Sequence, residues 1–208
     1  MIVAAEKLKL ITYPIMEHFY TLQGEGKYTG TSAYFIRLGG CDVGCVWCDV
    51  KESWDADVHP KMSVEELKNI VSQYPGDLVV ITGGEPAMYD LSVLVDALHS
   101  AGKYVAIETS GTSELIGNVD WYTFSPKKFK APVDEAYEKA SELKIVIFHK
   151  SDLAWAEEHA KKVLADCVLY LQPEWSKREQ LLPTIIEYVK NHPKWKISLQ
   201  THKYLEIP

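Results

Sequence analysis

The sequence lacks a long apolar run, an excess of basic residues and any low-complexity tract. No stretch reaches the roughly 18 consecutive apolar residues that suggest a membrane-spanning helix. The first 20 residues mix charged and apolar side chains, which argues against a signal peptide. The formal net charge of -7 disfavours tight binding to nucleic acid. We therefore expect a cytoplasmic protein that acts on a small molecule, without a nucleic-acid or membrane partner.

Cysteine is also scarce, with four residues in a chain of 208. Disulfides are rare in the cytoplasm, so these cysteines are not expected to pair. Cys167 stands alone in the apolar run CVLYL, which predicts a buried strand residue. The other three, Cys41, Cys45 and Cys48, fall within eight residues and require a separate explanation.

Hydrophobic residues make up 47% of the chain, arranged as short runs between amphipathic segments. Their length and their β-branched or aromatic content predict strands at 32–38, 77–82, 103–109, 120–125, 143–148, 167–172 and 195–200. Helices are predicted between them: after a capping box of Ser63 and Glu66, across 91–98, across 151–165, and after a second capping box of Ser176 and Glu179.

Alternating strands and helices predict parallel strands joined by right-handed crossovers. A closed eightfold barrel typically needs about 250 residues, and this chain is shorter. We therefore predict an α/β fold: an incomplete (β/α) barrel of about six parallel strands, open on one side, in a single domain spanning residues 1–208. Chemistry in such folds takes place beyond the carboxyl ends of the strands.

The three clustered cysteines directly follow the first of these strands, in the loop GGCDVGCVWCD at 39–49. Glycines in the loop allow the tight turns that a bulky inorganic centre requires. Thiolates favour zinc or iron–sulfur, but structural zinc and ordinary clusters both take four ligands. Three thiolates on one loop therefore indicate an iron–sulfur cluster with one iron left open.

This CxxxCxxC spacing resembles that of the radical S-adenosylmethionine superfamily. A second segment, Thr82-Gly83-Gly84-Glu85-Pro86, follows another predicted strand and resembles the superfamily's GGEP motif. The resemblance implies a 4Fe-4S cluster on the three cysteines, with S-adenosylmethionine chelating the fourth iron. It also implies a 5′-deoxyadenosyl radical that abstracts hydrogen from the substrate, so that the cofactor rather than a side chain carries the hard chemistry.

Further segments narrow the resemblance to the 7-carboxy-7-deazaguanine synthase family, over nearly the whole chain. They are residues 19–49, ITGGEPAM, IETSGT, FSPK, LKIVI, LQP and the terminal SLQTHKYLEIP. That family is a group of carbon–nitrogen lyases of queuosine and deazapurine biosynthesis. It converts 6-carboxy-5,6,7,8-tetrahydropterin to 7-carboxy-7-deazaguanine with loss of ammonia. The resemblance also implies a homodimer and a reducing protein such as flavodoxin.

The resemblance assigns roles to matching positions. Arg37 is expected to pair with the substrate carboxylate and Glu108 to accept from the pterin N–H groups. The remaining substrate-side positions are Gln23, Glu25, His202 and the carboxylate of Pro208. The cofactor-side positions are Thr82, Gly83, Gly84, Glu85, Ser125, Lys127 and Gln172.

Magnesium is the third cofactor that the resemblance implies, and here the sequence departs from the family. Family members commonly carry a hydroxyl residue after Cys-Asp, whereas this chain reads Cys48-Asp49-Val50. Valine offers no oxygen, and Mg²⁺ requires oxygen ligands. Asp49 remains as a magnesium ligand, with waters and the substrate carboxylate to complete the shell.

Two other classes of protein compete with this interpretation. A radical activase of a glycyl-radical partner would lack the LQGEG and QTHK segments. A zinc-stabilised module or a simple electron carrier would leave the GGEP segment without a role.

Overall fold

The computed structural model describes Glu6 and residues 8–208. Residues 1–5 and 7 therefore lie outside the described residues. They belong to the segment predicted to lack a signal peptide and to the start of the predicted single domain. In the described part, no helix is both long and apolar enough to cross a membrane.

A nine-stranded sheet forms the centre of the protein. Its strands are β1 (Thr12–Leu22), β2 (Ser32–Leu38), β3 (Lys61–Ser63), β4 (Leu78–Gly83), β5 (Tyr104–Thr109), β6 (Trp121–Phe124), β7 (Glu142–Ile147), β8 (Val168–Pro173) and β9 (Trp195–Ile197). The order across the sheet is β3-β1-β2-β4-β5-β6-β7-β8-β9. The seven strands from β2 to β9 along this order are parallel, and β1 pairs antiparallel with both β2 and β3.

Helices connect the parallel strands, as the alternating pattern predicted. They are α1 (Val64–Val71), α2 (Ser92–Ser100), α3 (Asp134–Lys139), α4 (Asp152–Ala160) and α5 (Arg178–Asn191), while a further helix, α6 (Thr201–Leu205), follows the last strand. The open, mostly parallel sheet confirms the predicted incomplete barrel, with seven parallel strands where about six were expected.

Helix α1 begins with the predicted capping box. The Ser63 hydroxyl accepts from the backbone N–H of Glu66, while the Glu66 carboxylate accepts from the backbone N–H of Ser63. The second predicted box is wrong. Ser176 lies in a 3₁₀ turn, where its hydroxyl and N–H both donate to the Glu174 carboxylate, and α5 begins only at Arg178. Because Ser176 hydrogen-bonds to Glu174, it does not cap the helix.

The central strands alternate between two environments. In β2, Tyr34, Ile36 and Leu38 belong to the main core between sheet and helices, whereas Ala33 and Phe35 pack in a smaller cluster with Phe19 on the other face. Because side chains alternate across a strand, the position after Phe35 on that second face is Arg37. The second face of the sheet therefore carries a small apolar cluster that gives way to polar side chains toward the strand ends.

Strand β1 and the short β3 were not predicted. Pro14, Glu17 and His18 interrupt the apolar pattern of β1, and its pairing with β2 is irregular between Ile15 and Glu17. A bulge of this kind disturbs the simple alternation by which a strand is recognised.

Candidate active site

A cavity of about 280 Å³ lies at the carboxyl ends of the parallel strands. Every residue that the sequence proposed for the site lines it. These residues are Gln23, Glu25, Arg37, Cys41, Cys45, Cys48, Asp49, Thr82, Gly83, Gly84, Glu85, Glu108, Ser125, Lys127, Gln172, His202 and Pro208. They come from the loop after β1, from five of the parallel strands or the loops after them, and from the C-terminal segment. Their roles toward a ligand remain predictions.

The cysteine loop and the GGEP segment are in direct contact. The Gly84 N–H donates to the Leu38 carbonyl at 3.0 Å, and the Glu85 N–H donates to the Gly40 carbonyl at 2.8 Å. A Cβ at Gly84 would lie 2.1 Å from the Gly40 oxygen, so only glycine permits this approach. Two motifs that lie about 40 residues apart in the sequence therefore form one wall of the cavity.

The three thiols are placed along this wall. Cys45 is buried, Cys41 and Cys48 are half-buried, and the three together line the cavity. They do not converge on a point: in the described part of the chain, no three His, Cys, Asp or Glu side chains are close enough to hold a single metal ion. Burial, with a smaller contribution from the neighbouring cysteines and against the effect of Lys127, raises the pKa of Cys45 to about 11.

Glycine is favoured at one exposed turn of the cysteine loop. Gly44, between Cys41 and Cys45, has a φ of +70°, and a Cβ there would meet no atom within 4 Å. Soft sulfur donors on an open, glycine-rich loop fit an iron–sulfur cluster. Cys41, Cys45 and Cys48 are the residues that would hold it.

Glu85 is buried and its carboxylate is already satisfied by protein donors. It accepts hydrogen bonds from the hydroxyls of Thr109 and Ser110, from the Ser110 N–H at 2.8 Å and from the Ala87 N–H at 3.0 Å. This carboxylate ties the loop after β4 to the loop after β5. What the GGEP segment offers a ligand is therefore mainly the backbone of Gly83 and Gly84.

Lys127 occupies the cofactor side of the cavity. Its ammonium donates to the carbonyl and the hydroxyl of Ser125, both at 2.6 Å, and lies 5.9 Å from the centre of the Trp47 ring. Burial lowers the pKa of Lys127, while the nearby Cys45 opposes that shift. On the same side, Gln172 accepts from the Ser198 hydroxyl at 2.7 Å.

The C-terminal segment closes over the loop that follows β1. The Thr201 N–H donates to the Gly24 carbonyl at 2.9 Å, and a Cβ at Gly24 would meet the His202 ring at 2.1 Å. Helix α6 ends at Leu205, and the next residue, Glu206, has a left-handed backbone (φ 55°). The chain turns there, and Pro208 lines the cavity. Burial lowers the pKa of His202, and Glu25 opposes that shift.

Several cavity residues were missed from the sequence, notably Lys144, Ser110, Trp175 and Gln200. Lys144 lies inside the run LKIVI, which predicts a buried strand and draws attention away from its single charge. Ser110 directly follows Glu108 and Thr109, and its position after a strand was the available signal.

Comparison with known proteins agrees with this geometry. Residues 35–147 match the model of the Radical SAM superfamily. The chain is 53% identical over 206 residues to a 7-carboxy-7-deazaguanine synthase of Flavobacterium psychrophilum, covering 99% of this chain and 97% of that protein. It is 37% identical to the Escherichia coli (strain K12) enzyme of the same name, covering 94% and 99% of the two chains.

A solved structure shows the same fold. The crystal structure of QueE from Escherichia coli superposes with a TM-score of 0.86 at 34% sequence identity, covering 94% of this chain and 97% of that one. An open parallel sheet with three cysteines after its first parallel strand defines a radical S-adenosylmethionine enzyme, and that class implies a cluster and S-adenosylmethionine. Within this class, the chain belongs to the 7-carboxy-7-deazaguanine synthase family.

Proposed function

We propose that this protein converts 6-carboxy-5,6,7,8-tetrahydropterin to 7-carboxy-7-deazaguanine with loss of ammonia, for queuosine or deazapurine biosynthesis. One observation carries the proposal: a single cavity joins the three-cysteine loop to the polar cluster of Gln23, Glu25, Arg37 and Glu108. When bound, the cluster and S-adenosylmethionine supply the radical that abstracts hydrogen. The side chains of the cavity bind and orient the substrate beside them.

The polar cluster suits both ends of this substrate. Glu25 and Glu108 present carboxylate acceptors to the N–H edge of a pterin, and Arg37 presents a guanidinium to its carboxylate. The Arg37 Nε donates to Glu17 at 2.6 Å, which uses one of the five guanidinium donors and fixes the orientation of the fork. A zinc module or an electron carrier would have no use for such a lining.

The proposal is tested by an anaerobic assay. Reconstituted protein is given dithionite, S-adenosylmethionine and the carboxytetrahydropterin, and the products are separated by chromatography. We expect carboxydeazaguanine and ammonia. Cleavage of S-adenosylmethionine without that product would support the assignment to the superfamily but refute the proposed substrate. Two further proposals rest on the family alone. One is that a reducing protein such as flavodoxin takes the place of dithionite, and the other is that the protein is a homodimer.

Replacing Arg37 by alanine is expected to raise the KM for the carboxytetrahydropterin roughly 10- to 150-fold. A hydrogen bond to a charged group contributes about 1.5–3 kcal/mol, and each 1.4 kcal/mol corresponds to a factor of ten. The dissociation constant for S-adenosylmethionine should be nearly unchanged. Steady-state kinetics and equilibrium binding measure the two quantities separately.

The matched control is Glu17→Gln, which removes the ion pair and leaves the guanidinium in place. Its KM should change far less than that of Arg37→Ala. If the two variants behave alike, the ion pair rather than a contact with substrate explains the loss.

Magnesium fits this chain poorly. Val50 offers no oxygen, and the Asp49 carboxylate accepts from the Lys203 ammonium at 2.9 Å. Both features favour a weak dependence on the metal, since Mg²⁺ prefers six oxygen ligands. We therefore expect that adding Mg²⁺ to chelator-treated enzyme changes kcat/KM by less than about twofold, within 0.4 kcal/mol at about 1.4 kcal/mol per decade.

The variant Val50→Thr restores a hydroxyl at this position and provides the comparison. Its response to Mg²⁺ should exceed that of the unmodified chain. A strong response of the unmodified chain would show that Asp49, water and substrate suffice as ligands.

A further inference from the structure

A buried ammonium lies between two carboxylates of the cavity. Lys144, on β7, has a side chain that is only 5% exposed. Its Nζ donates to Glu25 Oε2 and lies 3.4 Å from Glu108 Oε2. Lys144 and both carboxylates line the cavity, so the lysine joins the two carboxylates within its wall.

Each carboxylate is held from a second side by an amide. Glu25 Oε1 accepts from the Gln200 side chain at 2.9 Å, and Glu108 Oε1 accepts from the Gln23 side chain at 3.0 Å. Every oxygen of the pair thus has one donor from the protein, while a carboxylate oxygen can accept two. The remaining acceptor positions are those available to a ligand.

The charge of the pair depends on Lys144. Without a cation between them, two neighbouring carboxylates repel each other, and that repulsion favours a proton on one of the two. Burial alone would raise the pKa of Glu25, but the charge and hydrogen bond of Lys144 outweigh burial and lower it to about 2. The same carboxylates raise the pKa of Lys144 against the effect of its own burial.

Other charged groups face the pair from neighbouring elements. They are Glu142 on β7, Lys127 after β6 and His202 on α6. Burial raises the pKa of Glu142, whose carboxylate accepts from the Lys27 N–H at 3.0 Å. These groups must be separated from Glu25 and Glu108 in any test of pH dependence.

Resting on the proposed function, we infer that Lys144 is a positioning residue that keeps Glu25 and Glu108 as two acceptor-only carboxylates. It thereby selects a neutral heterocycle that presents adjacent N–H donors, such as the 2-amino-4-oxo edge of a pterin. If one of the two carboxylates carried a proton, that carboxyl would present an O–H donor to the N–H groups of the substrate instead of an acceptor. A ring with oxygen in place of the 2-amino group would leave a buried carboxylate unpaired.

The test compares binding of 6-carboxypterin, a fluorescent pterin, to cluster-loaded protein with S-adenosylmethionine between about pH 6 and pH 9. The variant is Lys144→Met, and Lys196→Met, an exposed lysine on β9, is the matched control. We expect the ratio of Kd in Lys144→Met to Kd in wild type to be at least about tenfold near pH 6 and to fall as the pH rises. Titration of the free ligand cancels in this ratio. A ratio that is constant across the pH range overturns the inference and leaves Lys144 a structural residue.

A double variant tests whether the carboxylate pair is the group whose titration changes the Kd ratio. Lys144→Met with Glu108→Gln removes the repulsion between the two carboxylates and leaves only Glu25, so binding should stay weak while the pH dependence of the ratio becomes smaller than in Lys144→Met. A pH dependence as large as that of Lys144→Met would assign the titration to groups outside the pair, such as Glu142 or His202, and overturn the inference.

Binding needs no turnover, so the two proposals fail separately. Wild-type protein that binds the pterin but yields no carboxydeazaguanine refutes the proposed function alone, while the Kd ratio still decides the role of Lys144. Wild-type protein that does not bind 6-carboxypterin at all overturns the inference, while the turnover assay with the carboxytetrahydropterin still decides the proposed function.

Discussion

Replacing any one of Cys41, Cys45 or Cys48 by alanine is expected to reduce product formation to background. The three thiols lie on one loop and line one cavity, and in the described part of the chain the remaining cysteine, Cys167, lies outside that cavity. A cluster that loses a thiolate has no substitute ligand nearby. Iron and sulfide content after anaerobic reconstitution, and turnover measured in the same samples, provide the check.

The matched control is Cys167→Ala. Cys167 is buried next to β8, and its burial raises the pKa of its thiol to about 12, so it behaves as a small apolar residue. This variant should keep its iron and its turnover. Near-normal turnover in a Cys45→Ala variant would refute the cluster assignment, and loss of iron in Cys167→Ala would show that reconstitution merely follows stability.

Replacing Glu85 by alanine is expected to lower the free energy of unfolding by at least about 3 kcal/mol, since several buried donors lose their acceptor at once. Glu85 is 1% exposed and accepts from Thr109, Ser110 and Ala87. Urea unfolding of the purified protein measures the change. If the unfolding curve were unchanged and S-adenosylmethionine binding were lost, Glu85 would instead act by contacting the ligand.

Two further variants make the comparison specific. Glu85→Gln keeps the shape but replaces one acceptor oxygen with a donor facing other donors, so it should also destabilise the protein. Glu187→Ala removes an exposed glutamate of α5 that pairs with Lys190, and it should leave the unfolding curve unchanged.

Much of the fold was predictable because it depends on local patterns. The runs that form β2, β4, β5, β7 and β8 are buried over most of their length and are therefore largely apolar, with polar side chains concentrated toward the cavity. The Ser63–Glu66 box is a contact between residues three apart, so its sequence signature predicted the start of α1. Ser176 had the same signature, but Glu174 nearby was a better partner.

Strand β1 shows where such patterns fail. It pairs with β2 on one side and with the three-residue β3 on the other, and its burial is mixed along its length. Its position in the sheet depends on partners distant in sequence, and so its own residues do not predict it.

The sequence by itself determined the three-cysteine loop, the GGEP segment and the set of residues at the strand ends, because each is a short motif or directly follows a recognisable strand. Only the tertiary structure decided how their side chains are used. It placed Glu85 in an internal network, paired Asp49 with Lys203 and put Lys144 between Glu25 and Glu108. These contacts join residues up to 154 positions apart. Charge and burial at such a contact depend on which strands become neighbours, and that is a property of the whole sheet.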